Sequence, residues 1–380
     1  MADVSGIGLY IHIPFCQAKC TYCDFNSFAG LEALFDDYTA AVVQEMRQAG
    51  PAQVKTIYVG GGTPTVLPLS HLARILHETH RAFDVRTDAE VSIEANPGTV
   101  TSAALGELAA QGMNRLSLGV QSFDDRELHL LGRIHSASVA VRAFHSARQA
   151  GVGNINLDLL FGLPGQVLTS WRTSLERALD LRPDHLSLYA LTIEEDTPLA
   201  TAIAGGKLPD PDPDLAADMY ELAQEFLHSA GFVHYEISNW ARSLDFMCQH
   251  NLTYWRNEPY LGMGAGAHSW RDGRRWSNTA SPADYVAQVL GGRRPVATEE
   301  TIHLALEMGE MMIMGLRLLD EGVTFERFRQ RFGLDLQLEF VDALQELAQL
   351  GLIWTDQSRV RLSQRGWLLG NQVFLRFLPD

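Results

Sequence analysis

The segment Tyr10-Ile-His-Ile-Pro-Phe-Cys16-Gln-Ala-Lys-Cys20-Thr-Tyr-Cys23-Asp-Phe25 carries three of the four cysteines of this 380-residue chain. Their spacing is Cx3Cx2C, and they follow a short apolar run that predicts a strand. Cysteine thiolates are the usual protein ligands of iron–sulfur clusters. The pattern therefore favours a [4Fe–4S] cluster held by Cys16, Cys20 and Cys23, with one iron left open to a further ligand.

Other roles for these cysteines remain open at this point. A structural zinc site needs four nitrogen or sulfur ligands, so either His12 or the distant Cys248 would have to complete it. Three buried thiols without a metal are a second alternative. Disulfide pairing is disfavoured, because it needs an even set of cysteines and an oxidising compartment.

The composition is that of a globular protein, with 46% hydrophobic and 20% charged residues. The length suits one large core with a smaller domain. The formal net charge of −16 disfavours nucleic-acid binding, which needs a concentrated basic face. There is no apolar run long enough to span a membrane, and the first residues lack the pattern of a secretory signal. We therefore expect a cytoplasmic protein.

Apolar, β-rich runs alternate with stretches of helical period over most of the chain. The predicted strands are Gly8–Ile13, Thr56–Val59, Val91–Ile93, Arg115–Val120, Ile155–Leu160, His185–Leu191 and Val233–Ile237. The predicted helices are Asp37–Gln48, His71–Phe83, Ser102–Gln111, Ala137–Ala150, Leu168–Leu181 and Ala216–Ala230. Strands joined by helices imply parallel pairing. We predict an α/β fold, a partial (β/α) barrel of about six to seven βα units.

Polar and glycine-rich segments follow several of these predicted strands. Gly60-Gly-Gly-Thr-Pro64 ends the second, and Glu94, Gln121 and Asp158 lie at or near the ends of later ones. In a barrel all of these share one face with the cysteine loop. Glycines allow the main chain to approach a ligand closely. We expect Glu94, Gln121, Arg133 and Asp158 to converge on a polar, partly zwitterionic ligand, although each alone could be a turn, a helix cap or a surface charge.

These motifs together resemble the radical S-adenosylmethionine (SAM) superfamily. The segments Gly119-Val-Gln-Ser-Phe123 and Asp158-Leu-Leu-Phe-Gly-Leu-Pro164 are similar to the branch that contains oxygen-independent coproporphyrinogen III oxidase and the heme chaperone HemW. The resemblance implies that the three cysteines bind the cluster and that SAM chelates its open iron. The SAM contacts it implies are Tyr10, Tyr22, Gly61, Gly62, Thr63, Glu94, Gln121, Arg133 and Asp158. Thr192 and a residue near Ala267–His268 are added from segments that diverge more.

Three features separate the two members of this branch. The oxidase pattern has a further cysteine where this chain has Phe25, and it leads one to expect a long extension before Cys16. The segment Cys248-Gln-His250-Asn-Leu-Thr-Tyr254-Trp255 contains His-Asn-x-x-Tyr-Trp, a hallmark of the heme chaperone group. All three favour the chaperone.

The same segment predicts heme contacts. A neutral imidazole is a common axial heme ligand, so His250 is the candidate, and Tyr254 and Trp255 could flank the porphyrin. The alternative is that His250 makes a local hydrogen bond and the aromatic rings pack in the barrel's end. Cys248 is the less favoured ligand and could be an ordinary buried thiol.

The resemblance implies a protein that takes up heme as cargo and hands it to an acceptor hemoprotein, a membrane-bound one included. It allows a homodimer, with the cluster and SAM regulating transfer or dimerisation. The competing function is an enzyme, the oxidase, which decarboxylates coproporphyrinogen III to protoporphyrinogen IX. The SAM machinery looks complete in the sequence, so cleavage of SAM itself stays open.

We predict three parts: a barrel core over residues 1–245, a connecting segment with the heme motif over 246–295, and a mainly helical C-terminal domain over 296–380. Helices predicted in the tail are Pro282–Pro295, Ile302–Leu318, Phe325–Arg331, Leu336–Leu350 and Gln364–Phe377. Two short strands near Leu352–Thr355 and Val360–Leu362 give it a winged-helix-like pattern. A basic cluster of arginines 317, 327, 329 and 331 is either a solvated face or a surface for an acidic partner.

Overall fold

A computed structural model describes residues 6–379, so the outermost residues of the predicted first and last domains lie outside it. One twelve-stranded sheet dominates the described range. Its strands are β1 (Ile7–Ile13), β2 (Gln53–Gly61), β3 (Asp84–Ala95), β4 (Arg115–Gln121), β5 (Asn154–Phe161), β6 (His185–Ala190), β7 (Val233–Glu236), β8 (Asn239–Ala241), β9 (Tyr260–Met263), β10 (His268–Arg271), β11 (Arg274–Asn278) and β12 (Val296–Thr301). Their order across the sheet is β12-β11-β10-β9-β1-β2-β3-β4-β5-β6-β8-β7.

Strands β1 to β6, together with β9, pair in parallel. The main helices between the strands of this half are Phe35–Gln48, Leu69–Ala82, Ser102–Ala110, Ala137–Gln149, Leu168–Asp180 and Pro213–Ser229. The structure adds two short helices that the sequence pattern missed, Asp125–Leu130 and Pro198–Ala204. The outer strands β12 and β7 do not pair with each other, so the barrel is open. The predicted partial (β/α) barrel is confirmed.

The strand predicted at Val233–Ile237 departs from the parallel set. It forms β7 and pairs antiparallel with β8, which in turn pairs antiparallel with β6. Only Ile237 and Ser238 connect β7 to β8. A connection this short can join antiparallel strands only, since a parallel crossover needs about a dozen residues or more.

One face of the parallel strands packs in the main hydrophobic core. On β1, Leu9, Ile11 and Ile13 are fully buried in the main hydrophobic core. The interior of the barrel is polar instead. Its buried side chains include Thr56, Ser92, Arg115, Asn156 and His185. A buried polar side chain is costly unless it is hydrogen-bonded, so this interior depends on its internal contacts.

The segment after β8 fills the barrel from the amino ends of the strands. It contains a helix, Gln249–Trp255, which we call the plug helix. A Cβ atom at Gly8 of β1 would lie 3.2 Å from Thr253 Cγ2 and 3.4 Å from His250 Cε1. The absence of a side chain at Gly8 thus allows the plug helix to lie directly against β1.

The C-terminal part has its own hydrophobic core. Its helices are Leu304–Gly315, Phe325–Phe332, Leu336–Glu339, Val341–Gln349, Gln364–Leu368 and Gly370–Phe374, and its small sheet contains Val323–Thr324, Ile353–Thr355 and Arg359–Leu362. Two predicted helices are therefore broken, near Phe340 and Leu369. The ring of Phe340 packs 5.3 Å from that of Phe377, and this contact fits the break at Phe340. The predicted helix from Pro282 ends at Leu290. No helix within residues 6–379 is long and apolar enough to cross a membrane.

The arginine cluster predicted in the tail makes contacts within the chain. Arg331 pairs with Glu307 at 2.7 Å and donates to the carbonyl of Asn257. The guanidinium carbon of Arg317 lies 4.4 Å from the ring centre of Trp255. These contacts join the C-terminal domain to the end of the plug helix, so neither predicted role, a solvated face or an acidic partner's surface, describes these two arginines.

Glu45 links helix Phe35–Gln48 to two later segments. Its carboxylate accepts hydrogen bonds from the Gly264 N–H at 2.8 Å, the Tyr285 hydroxyl at 2.6 Å and the Asn278 amide at 2.6 Å. The side chain is buried, and this burial raises the pKa of Glu45 to about 7.

This pKa predicts a pH-dependent stability. Between about pH 4.5 and pH 7 the folded chain holds a proton on Glu45 that the unfolded chain releases, so the free energy of unfolding falls as the pH rises. At about 1.4 kcal/mol per pH unit, Glu45 lowers it by on the order of 3 kcal/mol across that window. Urea unfolding over this pH range should show a shallower fall in Glu45→Gln than in the wild type. The exposed Glu32→Gln is the control, and identical slopes in all three proteins would contradict the prediction.

Candidate cofactor-binding site

A cavity of about 390 Å³ opens at the carboxyl ends of the parallel strands. Most of the residues predicted from the sequence line it: Cys16, Cys20, Tyr22, Cys23, Gly61, Gly62, Thr63, Glu94, Gln121, Arg133 and Asp158. Side chains that lie far apart in the sequence thus face one space. Tyr10 and Thr192 are not among the lining residues.

The cysteine loop is held against the turn that follows helix Asp125–Leu130. The main-chain N–H of Thr21 donates to the Leu131 carbonyl at 3.1 Å, and its hydroxyl donates to the Leu130 carbonyl at 2.9 Å. Gly132 has a φ of +70° in this turn, and a Cβ atom there would lie 3.0 Å from Thr21 Cγ2. Main-chain contacts therefore set the shape of the loop.

Two of the three thiols have the following polar neighbours. Cys16 Sγ lies 3.6 Å from the Thr63 hydroxyl, and Arg133 donates to Cys20 Sγ at 3.3 Å. Burial raises the pKa of the Cys16 and Cys23 thiols, so thiolates there need a nearby positive charge. Iron would provide that charge, since a metal deprotonates a coordinating thiol. Three thiols facing one cavity fit a [4Fe–4S] cluster.

The two residues that could complete a zinc site point elsewhere. His12 Nε2 lies 2.9 Å from the Asn26 carbonyl, and its Nδ1 lies 3.0 Å from the Tyr10 hydroxyl. Cys248 Sγ lies 3.6 Å from a Glu90 carboxylate oxygen. The geometry of the described residues thus gives the zinc alternative no support.

The glycines at the end of β2 are required by close contacts. A Cβ atom at Gly62 would lie 2.6 Å from the Phe15 carbonyl oxygen and 2.9 Å from Cys16 Sγ. Gly61 has a φ of +119°, which side chains with a Cβ atom rarely adopt. The N–H of Gly62 donates to the Ile13 carbonyl at 2.9 Å. This segment therefore lies directly against the start of the cysteine loop.

Two half-buried carboxyl groups face the cavity. Glu94 accepts hydrogen bonds from the Tyr58 hydroxyl at 2.7 Å and from the Gly61 N–H at 3.0 Å. Asp158 accepts from the Ser117 hydroxyl at 2.9 Å and the Asn156 amide at 2.8 Å. Burial raises the pKa of both, that of Glu94 to about 7. A ligand with a positive charge would stabilise both carboxylates.

Arg133 places a positive charge beside the two carboxyl groups of the cavity. Its guanidinium donates to the Gly119 carbonyl at 2.6 Å and also bonds the Asn96 side chain. Gln121 has a φ of 69°, a conformation that non-glycine residues adopt mostly in turns and at ligand sites. A cation opposite two carboxyl groups suits a zwitterionic ligand such as SAM.

Other predicted SAM contacts lie away from the cavity. The ring of Tyr10 stacks on that of Tyr58 at 6.2 Å. Thr192 is exposed beyond β6, and His268 is exposed at the start of β10. The loop before His268 does contact the end of the cysteine loop, because the Asn26 amide donates to the Ala265 carbonyl at 3.1 Å.

The sequence prediction missed Tyr58, Asn96 and Tyr189, which also line the cavity. Tyr58 stands two positions before Gly60 on β2 and therefore on the same side of the strand. The two-residue period of a strand could have identified it.

The predicted heme residues lie together, with His250 buried and Tyr254 and Trp255 half-buried. His250 is 1% exposed, with Nδ1 2.9 Å from the Thr56 hydroxyl and Nε2 2.9 Å from the Tyr254 hydroxyl. Burial lowers the pKa of His250 to about 3, so the ring is neutral. Trp255 packs beneath Arg317. Both ring nitrogens of His250 are engaged here, and heme binding through these side chains stays a prediction.

Two family models match the chain. The radical SAM superfamily model matches residues 10–178, and the HemN C-terminal domain model matches residues 304–369.

Several curated proteins are similar over nearly the whole length. The chain is 38% identical to the heme chaperone HemW of Bacillus subtilis, covering 98% of this chain and 99% of that protein. It is 34% identical to the heme chaperone HemW of Lactococcus lactis, covering 98% and 97%. It is 37% identical to the mitochondrial radical S-adenosyl methionine domain-containing protein 1 of Mus musculus, covering 98% and 87%.

The fold also resembles a solved structure. Coproporphyrinogen III oxidase (HemN) from Escherichia coli, a radical SAM enzyme, matches with a TM-score of 0.86 and 25% sequence identity. The match covers 98% of this chain and 90% of that one.

Proposed function

We propose that this chain, which belongs to the radical SAM superfamily and within it to the heme chaperone HemW branch, binds heme and transfers it to an acceptor hemoprotein. It carries a [4Fe–4S] cluster and SAM as cofactors. The observation that carries this function is the similarity to curated heme chaperones over nearly the full length of the chain. Phe25, at the position of the oxidase's further cysteine, agrees with it.

The cofactor roles follow from the residues of the cavity. Cys16, Cys20 and Cys23 hold the cluster. A bound cluster supplies an open iron for the amino and carboxylate groups of SAM and, when reduced, an electron. Arg133 orients the SAM carboxylate through charge-assisted hydrogen bonds, while Glu94 and Asp158 accept hydrogen bonds from its ammonium or ribose hydroxyl groups.

Tyr22, Gly61, Gly62, Thr63 and Gln121 complete the proposed SAM contacts around these charged groups. Tyr10 and Thr192 belong to the predicted set as well, Tyr10 acting from below the cavity. His250, Tyr254 and Trp255 are the proposed heme contacts. For His250 to bind heme iron, one ring nitrogen has to give up its hydrogen bond to Thr56 or Tyr254.

The oxidase is the second candidate, and one observation favours it. The fold of the whole chain is similar to that of a solved oxidase. The cavity also contains the three cysteines and both carboxyl groups. Phe25 is 65% exposed at the rim of the cavity and has no thiol to offer there.

The location and partners are part of the proposal. We propose a cytoplasmic protein, because free cluster thiols persist in a reducing compartment. Its cargo is heme, and its acceptor is a hemoprotein, including one bound to a membrane. A homodimer that responds to the cluster and SAM is the proposed assembly.

The test reconstitutes the cluster anaerobically and divides one preparation between two assays. We expect stoichiometric heme binding and no decarboxylation of coproporphyrinogen III. Formation of protoporphyrinogen IX would establish the oxidase instead. Failure to bind heme, in protein with a full iron content, would end the chaperone proposal. The triple variant with Ala at Cys16, Cys20 and Cys23 reports whether heme binding needs the cluster.

A further inference from the structure

The plug helix begins on a carboxylate inside the barrel. Glu90 of β3 accepts hydrogen bonds from the N–H groups of Gln249 at 3.1 Å and His250 at 3.0 Å. A carboxylate at this position caps the first turn and interacts favourably with the helix dipole. The Cys248 thiol lies 3.6 Å from the same carboxylate. The start of the plug helix is therefore tied to the barrel interior.

The His250 ring faces the aromatic side chains beneath the cavity. It stacks on Tyr58 with 5.2 Å between ring centres and 26° between planes, and its centre lies 6.4 Å from that of Tyr10. Its nitrogens bond to Thr56 and Tyr254. A neutral imidazole has one donor and one acceptor, so these two contacts use its full hydrogen-bonding capacity.

Tyr58 connects this ring to the cofactor cavity. Its hydroxyl donates to one oxygen of Glu94, and the Gly61 N–H donates to the other. A Cβ atom at Gly60 would lie 2.9 Å from both the Glu94 carboxylate and the Tyr58 ring, so these groups are closely packed. A displaced Tyr58 would therefore change the position of the Glu94 carboxylate.

We infer that His250 is a positioning residue for the SAM site, which holds the ring of Tyr58 and, through Tyr58, the carboxylate of Glu94. Through Tyr58 the His-Asn-x-x-Tyr-Trp segment supports the floor of the cofactor cavity. The assignment of SAM to this cavity rests on the proposed cofactors, but the inference is independent of the proposed heme transfer.

Substitutions at His250 separate the two roles. His250→Phe keeps a flat ring against Tyr58 and removes both nitrogens, whereas His250→Ala removes the ring as well. We expect His250→Ala to weaken SAM binding about tenfold in reconstituted full-length protein, with unchanged iron content. His250→Phe should bind SAM close to wild-type affinity. The exposed Gln249→Ala, on the same helix, is the matched control.

Tyr58→Phe tests the second step without altering the plug helix. It removes the hydrogen bond to Glu94 and should weaken SAM binding to a similar extent. The double variant Tyr58→Phe, His250→Ala should be weakened by less than the product of the two single effects, because both act through one contact.

Calorimetric SAM titration and the heme absorption spectrum are the readouts. Wild-type SAM affinity in His250→Ala, or a loss in His250→Phe as large as in His250→Ala, would overturn the inference. Loss of heme binding in both His250 variants with unchanged SAM affinity would instead establish His250 as a heme contact. If His250→Ala does not fold, wild-type SAM affinity in Tyr58→Phe would overturn the inference.

Discussion

Replacing Cys16, Cys20 or Cys23 by alanine is expected to abolish the iron–sulfur cluster, whereas Cys248→Ala retains it. The three loop thiols face one cavity, and loss of one leaves an iron without its protein ligand. Cys248 is fully buried at the start of the plug helix and lies against Glu90. Iron and sulfide content after anaerobic reconstitution, together with the visible absorption of the cluster, measures the effect.

Cys248→Ala is the matched control, since it removes the same group from the same chain. It should cost some stability through a small cavity, about 1 kcal/mol or more, without loss of iron. Full iron content in Cys16→Ala, or loss of iron in Cys248→Ala with the fold intact, would show that the ligand set is different from the one proposed.

Gly62→Ala is expected to weaken SAM binding strongly. Its Cβ atom would lie 2.6 Å from the main-chain oxygen of Phe15, which cannot move without shifting the start of the cysteine loop. Crowding of this kind typically costs about 1–3 kcal/mol of stability. We expect SAM affinity to fall more than tenfold, with a lower iron content and a lower melting temperature, measured by titration and calorimetry.

Gly98→Ala provides the comparison for this substitution. Gly98 lies in the turn after Pro97, and a Cβ atom there would meet no other atom within 4 Å. SAM affinity and iron content should stay at wild-type values in Gly98→Ala. Equal SAM affinity in the two alanine variants would contradict the proposed course of the main chain past the cofactor.

Most of the barrel could be predicted because its signals are local. The apolar runs with their helical connections predicted β1 to β6 and the main helices, since strand and helix periods are properties of neighbouring residues. The bounds agree within three residues, except that β3 begins at Asp84 and the prediction began at Val91. The direction of β7 was wrong in the prediction. Val233–Ile237 has the composition of a strand, but its pairing depends on the short connection to β8 that follows it.

In the site, too, the local features could be predicted and those set by the path of a loop could not. The spacing of Cys16, Cys20 and Cys23 lies within one loop, and Glu94, Gln121 and Asp158 each stand at or near the end of a strand, where a barrel gathers them. The placement of Thr192 outside the cavity could not be read in this way, because it depends on the path of the loop after β6.

The sequence by itself determined the cluster loop, the parallel strands and the family of the chain, since each is written in short, contiguous motifs. Only the tertiary structure decided what surrounds His250. Its partners Thr56 and Glu90 lie 194 and 160 positions away along the chain, and no local pattern predicts contacts at such separations. His250, which the sequence predicts as a heme contact, is a buried neutral ring beneath the cofactor cavity in the folded chain, because the plug helix lies inside the barrel.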